Sequence, residues 1–155
     1  MTTSVLDDKV IKASGLTRGL KLLYRHTTIF YGIDYEASNL RLQNIDDVES
    51  YSSQRLSFLF GLKFSDNDYF CKVTTLGKAT IDGIGDFSSP LGFEAGYHRR
   101  FTVEKVTKLM LFATYSRIDW GDFSDNLPGT DYGLKVQKLN IGVSIPFEID
   151  LWNEF

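Results

Sequence analysis

The last stretch of the chain alternates without a slip. Leu139, Ile141, Val143, Ile145, Phe147, Ile149 and Leu151 are separated by Asn140, Gly142, Ser144, Pro146, Glu148 and Asp150. A helix would spread these apolar side chains around its circumference, whereas a strand puts all of them on one face. The same period of two recurs upstream. It runs through Ile29, Ile33 and Tyr35, through Leu56, Phe58, Phe60 and Phe64, and through Tyr69, Cys71 and Val73. It returns at Leu91, Phe93, Ala95 and Tyr97, where Arg99 interrupts it before Phe101, and again at Leu109, Leu111 and Ala113. Leu20, Leu22 and Tyr24 begin a weaker first strand.

Composition agrees with this pattern. Aromatic residues make up 14% of the 155 residues, with 13 glycines and only 3 prolines, the balance of a β protein. Turn residues cluster at 65–68, 82–90 and 121–131, and polar residues at 44–53. The expected fold is an all-β, antiparallel up-and-down β-barrel of about eight strands. Residues 1–18 are expected to form an N-terminal arm or short helix, and 19–155 the barrel domain. Seven strands are legible, and the even count of closed bacterial barrels asks for an eighth, in 39–44 or before Gly15. Leu134 and Val136 are out of phase with Leu139 onward, which predicts a bulge at 137–139 or a junction of two strands.

Period two does not say which solvent the apolar face meets. In a soluble barrel it turns inward, and in a membrane barrel it turns to lipid. Three features favour lipid. The final alternation spans thirteen residues, beyond the ~9–11 that cross a bilayer. Small residues (Gly32, Gly61, Gly92, Gly96, Gly142, Ser144) occupy the polar faces, as a narrow interior requires. Tyr51, Tyr69, Tyr115, Trp120, Tyr132 and Trp152 fall near strand ends, where aromatic girdles meet headgroups. Against this stand Pro146, which cannot donate to a ladder, and Phe70, Met110 and Phe112, which break the polar face. The lipid-facing set in the last strand is then Ile141, Val143, Ile145, Phe147 and Ile149. An interior polar network is expected from Lys63, Lys72, Glu94, His98, Arg100 and Glu148. Its mixed signs describe a plugged core and not a pore.

The strand periodicity, the length, the alternation of short and long loops and the terminal Phe155 preceded by Leu151, Ile149 and Phe147 carry a resemblance. From about residue 19 onward the chain resembles the small bacterial outer-membrane barrels of the OmpA/OmpX type. Asn153 and Trp152 depart from the terminal pattern of that class. The resemblance implies a lipid bilayer, lipopolysaccharide and the barrel assembly machinery as partners, and the cell outer membrane as location. Residues 1–8 have neither a basic nor an apolar region, so this location is expected of a mature or fragment chain without its signal peptide, and the alternative is a protein soluble in the compartment of its synthesis.

Charge and cysteine content narrow the chemistry. The net charge of -3 disfavours nucleic acid as a partner, and Cys71 alone permits neither a disulfide framework nor a multi-cysteine metal site. His26 and His98 are the only histidines. Ser116, Ser144 and His98 share interior-type positions, but no nucleophile motif joins them. Asp119, Asp122, Asp125 and Asp131 lack calcium-loop spacing, and the segment Gly83, Ile84, Gly85 opens no helix. No catalytic residue, metal or cofactor is expected. The preferred function is a structural, adhesion or interaction role carried by loops 44–53 and 121–131. A soluble β-barrel binding an apolar ligand is the first alternative, and a lipid-modifying barrel enzyme the second.

Overall fold

In a computed structural model the chain is an antiparallel up-and-down barrel. The structure describes residues 2–6, 9–43, 50–103, 107–124 and 134–146, with side chains for 13–42, 50–101, 109–121 and 134–146. The strands are β1 (Thr2–Leu6), β2 (Lys9–Arg25), β3 (Ile29–Gln43), β4 (Ser50–Phe64), β5 (Asn67–Ile81), β6 (Gly85–Val103), β7 (Thr107–Ser124) and β8 (Leu134–Ser144). Each pairs with its sequence neighbour, and β1 pairs with β8 to close the ring. β1 has five residues, so seven long strands make the wall and a short eighth closes it at one end. That end, where β1 runs into β2, β3 into β4, β5 into β6 and β7 into β8, is called the upper end below.

Several boundaries differ from those expected. The N-terminal arm is wall, since β1 and β2 take up Thr2–Leu6 and Lys9–Arg25 and residue 19 lies within β2. Residues 50–53 and 121–124 also belong to strands, so the two functional loops shrink to residues that lie outside the described ones. The connection at 82–90 reduces to a turn at 82–84, where Gly83 adopts φ 79°, a conformation glycine reaches without strain. The turn at 65–68 tightens to two residues, with Phe64 paired to Asn67 and Ser65 at φ 53°. β8 ends at Ser144, so Pro146 takes no part in the ladder.

The wall changes polarity partway up. In the lower part the outward side chains are apolar: Tyr31, Ile33 and Tyr35 on β3, Phe58 to Phe64 at alternate positions on β4, Leu111 and Tyr115 on β7, and Ile141 and Val143 on β8. Higher on the same strands the outward positions become polar, with Asn39 and Arg41, Gln54, Arg117, and Lys135 and Gln137. The interior changes in the opposite sense. Leu40, Leu42, Tyr51, Ile81, Phe87, Ile118, Trp120, Leu134 and Val136 pack into an apolar core at the upper end. Below it the interior carries buried charge. This explains the phase slip in β8. The strand is unbroken from Leu134 to Ser144, and the apolar residues pass from the inner to the outer face within it. Tyr51 and Trp120, expected in a girdle, are buried in the upper core, while Tyr69 and Tyr115 are outward. Tyr132 and Trp152 lie outside the described residues.

A true bulge occurs on β5. Leu56 pairs with Leu76 and Ser57 with Thr74, which leaves Thr75 as an extra residue. The extra residue reverses which side each later position faces. Thr74 therefore points inward below the bulge and Ala79 and Ile81 point inward above it.

Candidate functional site

Charged side chains from five strands converge below the apolar core. Glu36 on β3 lies opposite Arg55 on β4, and Lys72 on β5 opposite Glu94 on β6. Arg55 Nη2 donates to Glu36 Oε1 at 2.6 Å and to Glu94 Oε2 at 2.8 Å. Lys72 Nζ sits 2.5 Å from Asp34 Oδ2 and 2.6 Å from Glu94 Oε1. Lys138 Nζ, from β8 on the other side of the barrel, donates to Glu36 Oε1 at 2.8 Å and to Ser38 Oγ at 2.7 Å. The cations Arg55, Lys72 and Lys138 thus balance the carboxylates Asp34, Glu36 and Glu94. Shared partners are what make such burial tolerable, since an isolated ion would carry an uncompensated desolvation cost. Ser57 and Thr74 bridge the same layer at 2.7 Å.

Toward the lower end Asp68 lies between Arg25 and Arg100, each at 3.2 Å. Arg25 also stacks over the Phe30 ring, 5.1 Å from its centroid. Phe30, Phe70 and Phe112 occupy interior positions opposite Gly61, Gly96 and Gly142. A Cβ on Gly61 or Gly96 would lie 2.2 Å from the facing ring, and on Gly142 2.6 Å. The interior glycines therefore make room for rings from the adjacent strand, which is why aromatic residues interrupt the polar face.

His98 is 1% exposed and packs against Phe70 with 4.4 Å between ring centroids. Its Nε2 lies 3.3 Å from Lys21 Nζ. A charged Lys21 can only donate, and would then occupy the Nε2 lone pair. Ser116 sits opposite Glu94 and Ser144 opposite Met110, and neither is a partner of His98. Among the described residues no group of three or more His, Cys, Asp or Glu could hold a metal.

Of the sequence-predicted network, Lys72 and Glu94 meet directly, while Arg100 joins Asp68 and His98 joins Lys21. Lys63 is half-buried near the β4–β5 turn, away from the central ions. Ile141, Val143 and Ile145 face outward, Ile141 at 79% exposure. Glu148, Phe147 and Ile149 lie outside the described residues. Lys78, on the same alternation as Lys72, points outward to Asp86 at 2.7 Å, because the bulge at Thr75 intervenes. Lys78 and Thr80 both donate to the Asp86 carboxylate at the upper rim and hold it below the usual aspartate range. Arg55, Lys138 and Asp68 also belong to the interior network, beyond the residues expected from the sequence. Arg55 stands in the polar series Ser53, Arg55, Ser57 of β4, a signal that was legible.

No family model, curated protein or solved structure matches the chain.

Proposed function

We propose that this chain is a small outer-membrane β-barrel whose interior is plugged and whose upper end carries a structural, adhesion or interaction role. The observation that carries the reading is the reversal of polarity along the strands. Large apolar side chains cover the outside of the lower wall, where Asp34, Arg55, Lys72 and Glu94 are buried inside. Water around that lower wall would meet an apolar belt with its charges sealed away, whereas lipid accepts the belt. On β4 the outward apolar series from Leu56 to Phe64 spans about 26 Å along the strand at ~3.3 Å per residue, or about 20 Å once a ~40° tilt is included. This is close to the apolar height of a membrane barrel.

At the lower margin of the belt, Tyr24 and Tyr31 pack at 5.3 Å and Tyr69 and Tyr97 at 5.3 Å, the amphipathic rings suited to a headgroup layer. Above the belt, exposed Arg41, Lys78, Arg117 and Lys135 offer charge to anionic headgroups, including those of lipopolysaccharide. The upper end has the reverse arrangement, an apolar core inside a polar wall, and suits water beyond the headgroups. Function on such a scaffold belongs to that water-facing end.

Refolding tests the proposal. The protein is expected to fold only in detergent or lipid vesicles and to migrate faster in unheated than in heated gel samples. A monodisperse, folded protein in plain buffer would sink the membrane reading.

A further inference from the structure

The wall opens between β5 and β6. Thr74 pairs with Gly92 and Lys78 with Ser88, yet Thr75, Leu76 and Gly77 have no register partner on β6. The pairs above and below the opening stay in step, so the strands part there without slipping. Both strands contribute to the parting. Thr75 is the bulged residue of β5. In step, Leu76 would face Pro90, which has no N–H to give to the Leu76 carbonyl. Ser89 beside it turns through φ 51°. The result is a recess of about 330 Å³ lined by Thr75, Leu76, Gly77, Ser89, Pro90 and Leu91. Small-molecule sites begin at about this volume.

The recess sits at the upper margin of the apolar belt. Leu76 lies opposite Leu56, the highest outward apolar residue of β4, and Lys78 lies opposite Gln54 in the polar wall above. Leu76 and Leu91 are 58% and 70% exposed, and with outward Phe93 and Val73 below them they form an apolar track that leads from the belt into the recess. Lys78 stands two residues above Leu76 on the same outer face, about 7 Å along the strand. Its partner Asp86, at 2.7 Å, also accepts a hydrogen bond from Thr80 at 2.7 Å, so Asp86 keeps a donor when Lys78 turns elsewhere.

We propose that this recess seats one acyl chain of an anionic phospholipid, with the lipid phosphate at Lys78. The seat rests on the membrane reading, which puts Leu76 and Leu91 against hydrocarbon and Lys78 among headgroups. A cation directly above an apolar recess matches the order of a lipid itself, phosphate over acyl chain. The chain covers Leu76, Leu91, Phe93 and Val73, and the exposed Thr75 hydroxyl can donate to an ester oxygen between chain and phosphate. Where the ladder parts, an occupant with both polar and apolar atoms fits better than bare hydrocarbon, because backbone polar groups in lipid need partners. The negative charge selects the lipid, through the exposed ammonium of Lys78.

Fluorescence quenching tests the seat in the full chain carrying Cys71→Ala. A bimane label is attached through Val73→Cys, just below the recess, or through Ile33→Cys, at the same level two strands away. Each protein is refolded into phosphatidylcholine vesicles in which a varied share of the lipid is phosphatidylglycerol or phosphatidylcholine brominated on its acyl chains. At Val73, brominated phosphatidylglycerol is expected to reach half-maximal quenching at about one-fifth of the share that brominated phosphatidylcholine needs, the preference that one lysine confers near a headgroup layer. At Ile33 the two lipids should quench alike. Lys78→Gln should abolish the preference at Val73, and so should Thr75→Phe, which fills the recess. Equal quenching by both lipids at Val73 would make the contact ordinary boundary lipid and refute the seat. Loss of the phosphatidylglycerol quenching on adding lipopolysaccharide would give the recess to that glycolipid instead. Quenching at Ile33 without any at Val73 would remove the seat alone, whereas quenching at neither position would remove the membrane reading and the seat with it.

Discussion

Replacing Glu94 by Gln tests whether the lower interior is dry. Glu94 is 2% exposed and holds Arg55 at 2.8 Å and Lys72 at 2.6 Å. The amide keeps the volume and removes the charge, so the central layer passes from three carboxylates against three cations to two against three. Arg55 retains Glu36 and Lys72 retains Asp34, so neither cation is wholly abandoned. The loss therefore falls at the lower end of the range for breaking a buried pair, about 3 kcal/mol. Urea unfolding in vesicles, followed by tryptophan fluorescence, measures it. Lys72→Gln restores neutrality, and the double variant should be less destabilised than the sum of the singles, by about 1 kcal/mol or more. A Glu94→Gln protein within ~0.5 kcal/mol of the parent would place the network in water and refute the argument.

Gly96→Val should fail to fold or lose about 1–3 kcal/mol, because even a Cβ there meets the Phe70 ring at 2.2 Å; partial rescue by Phe70→Ala on unfolding would locate the clash, and no rescue would exclude it. Ile141→Lys should cost ~2–4 kcal/mol in vesicles, whereas Gln137→Lys, four residues higher on the same face, should change stability by no more than ~0.5 kcal/mol. Equal costs at the two positions would remove the polarity boundary. Trp120→Ala should destabilise by ~3–5 kcal/mol on the same unfolding assay, as for a buried ring in a packed core, and a near-neutral result would mean the upper core is not close-packed. Deleting 121–124 should disrupt the upper wall, since Asp122, Phe123 and Ser124 pair with β6; an unchanged unfolding midpoint would return this segment to a loop.

The plug also bears on transport. Cations and carboxylates from β3, β4, β5, β6 and β8 join at 2.5 to 2.8 Å across the lumen. A barrel of about eight strands leaves room for little else. On the proposed reading the paired charges make the interior that of a scaffold and not a conduit.

The alternation of Leu139, Ile141 and Val143, or of Phe58, Phe60 and Leu62, announced strands from the sequence alone because side-chain direction within a strand is a local property. Turn chemistry at 65–68 and the short connections placed the meander equally locally. Alternation shows that two faces differ, but which one turns inward depends on closure of the ring. Leu134 and Val136 against Leu139 and Ile141 thus looked like a slipped register, although the strand is unbroken and only its surroundings change. The real slip, at Thr75, lies within a run of threonines and a leucine that shows no break in pattern. The ionic partners were out of reach for the same reason. Glu36 and Lys138 stand 102 residues apart in the chain, and only a curved sheet that returns β8 to the neighbourhood of β3 brings their charges to bonding distance.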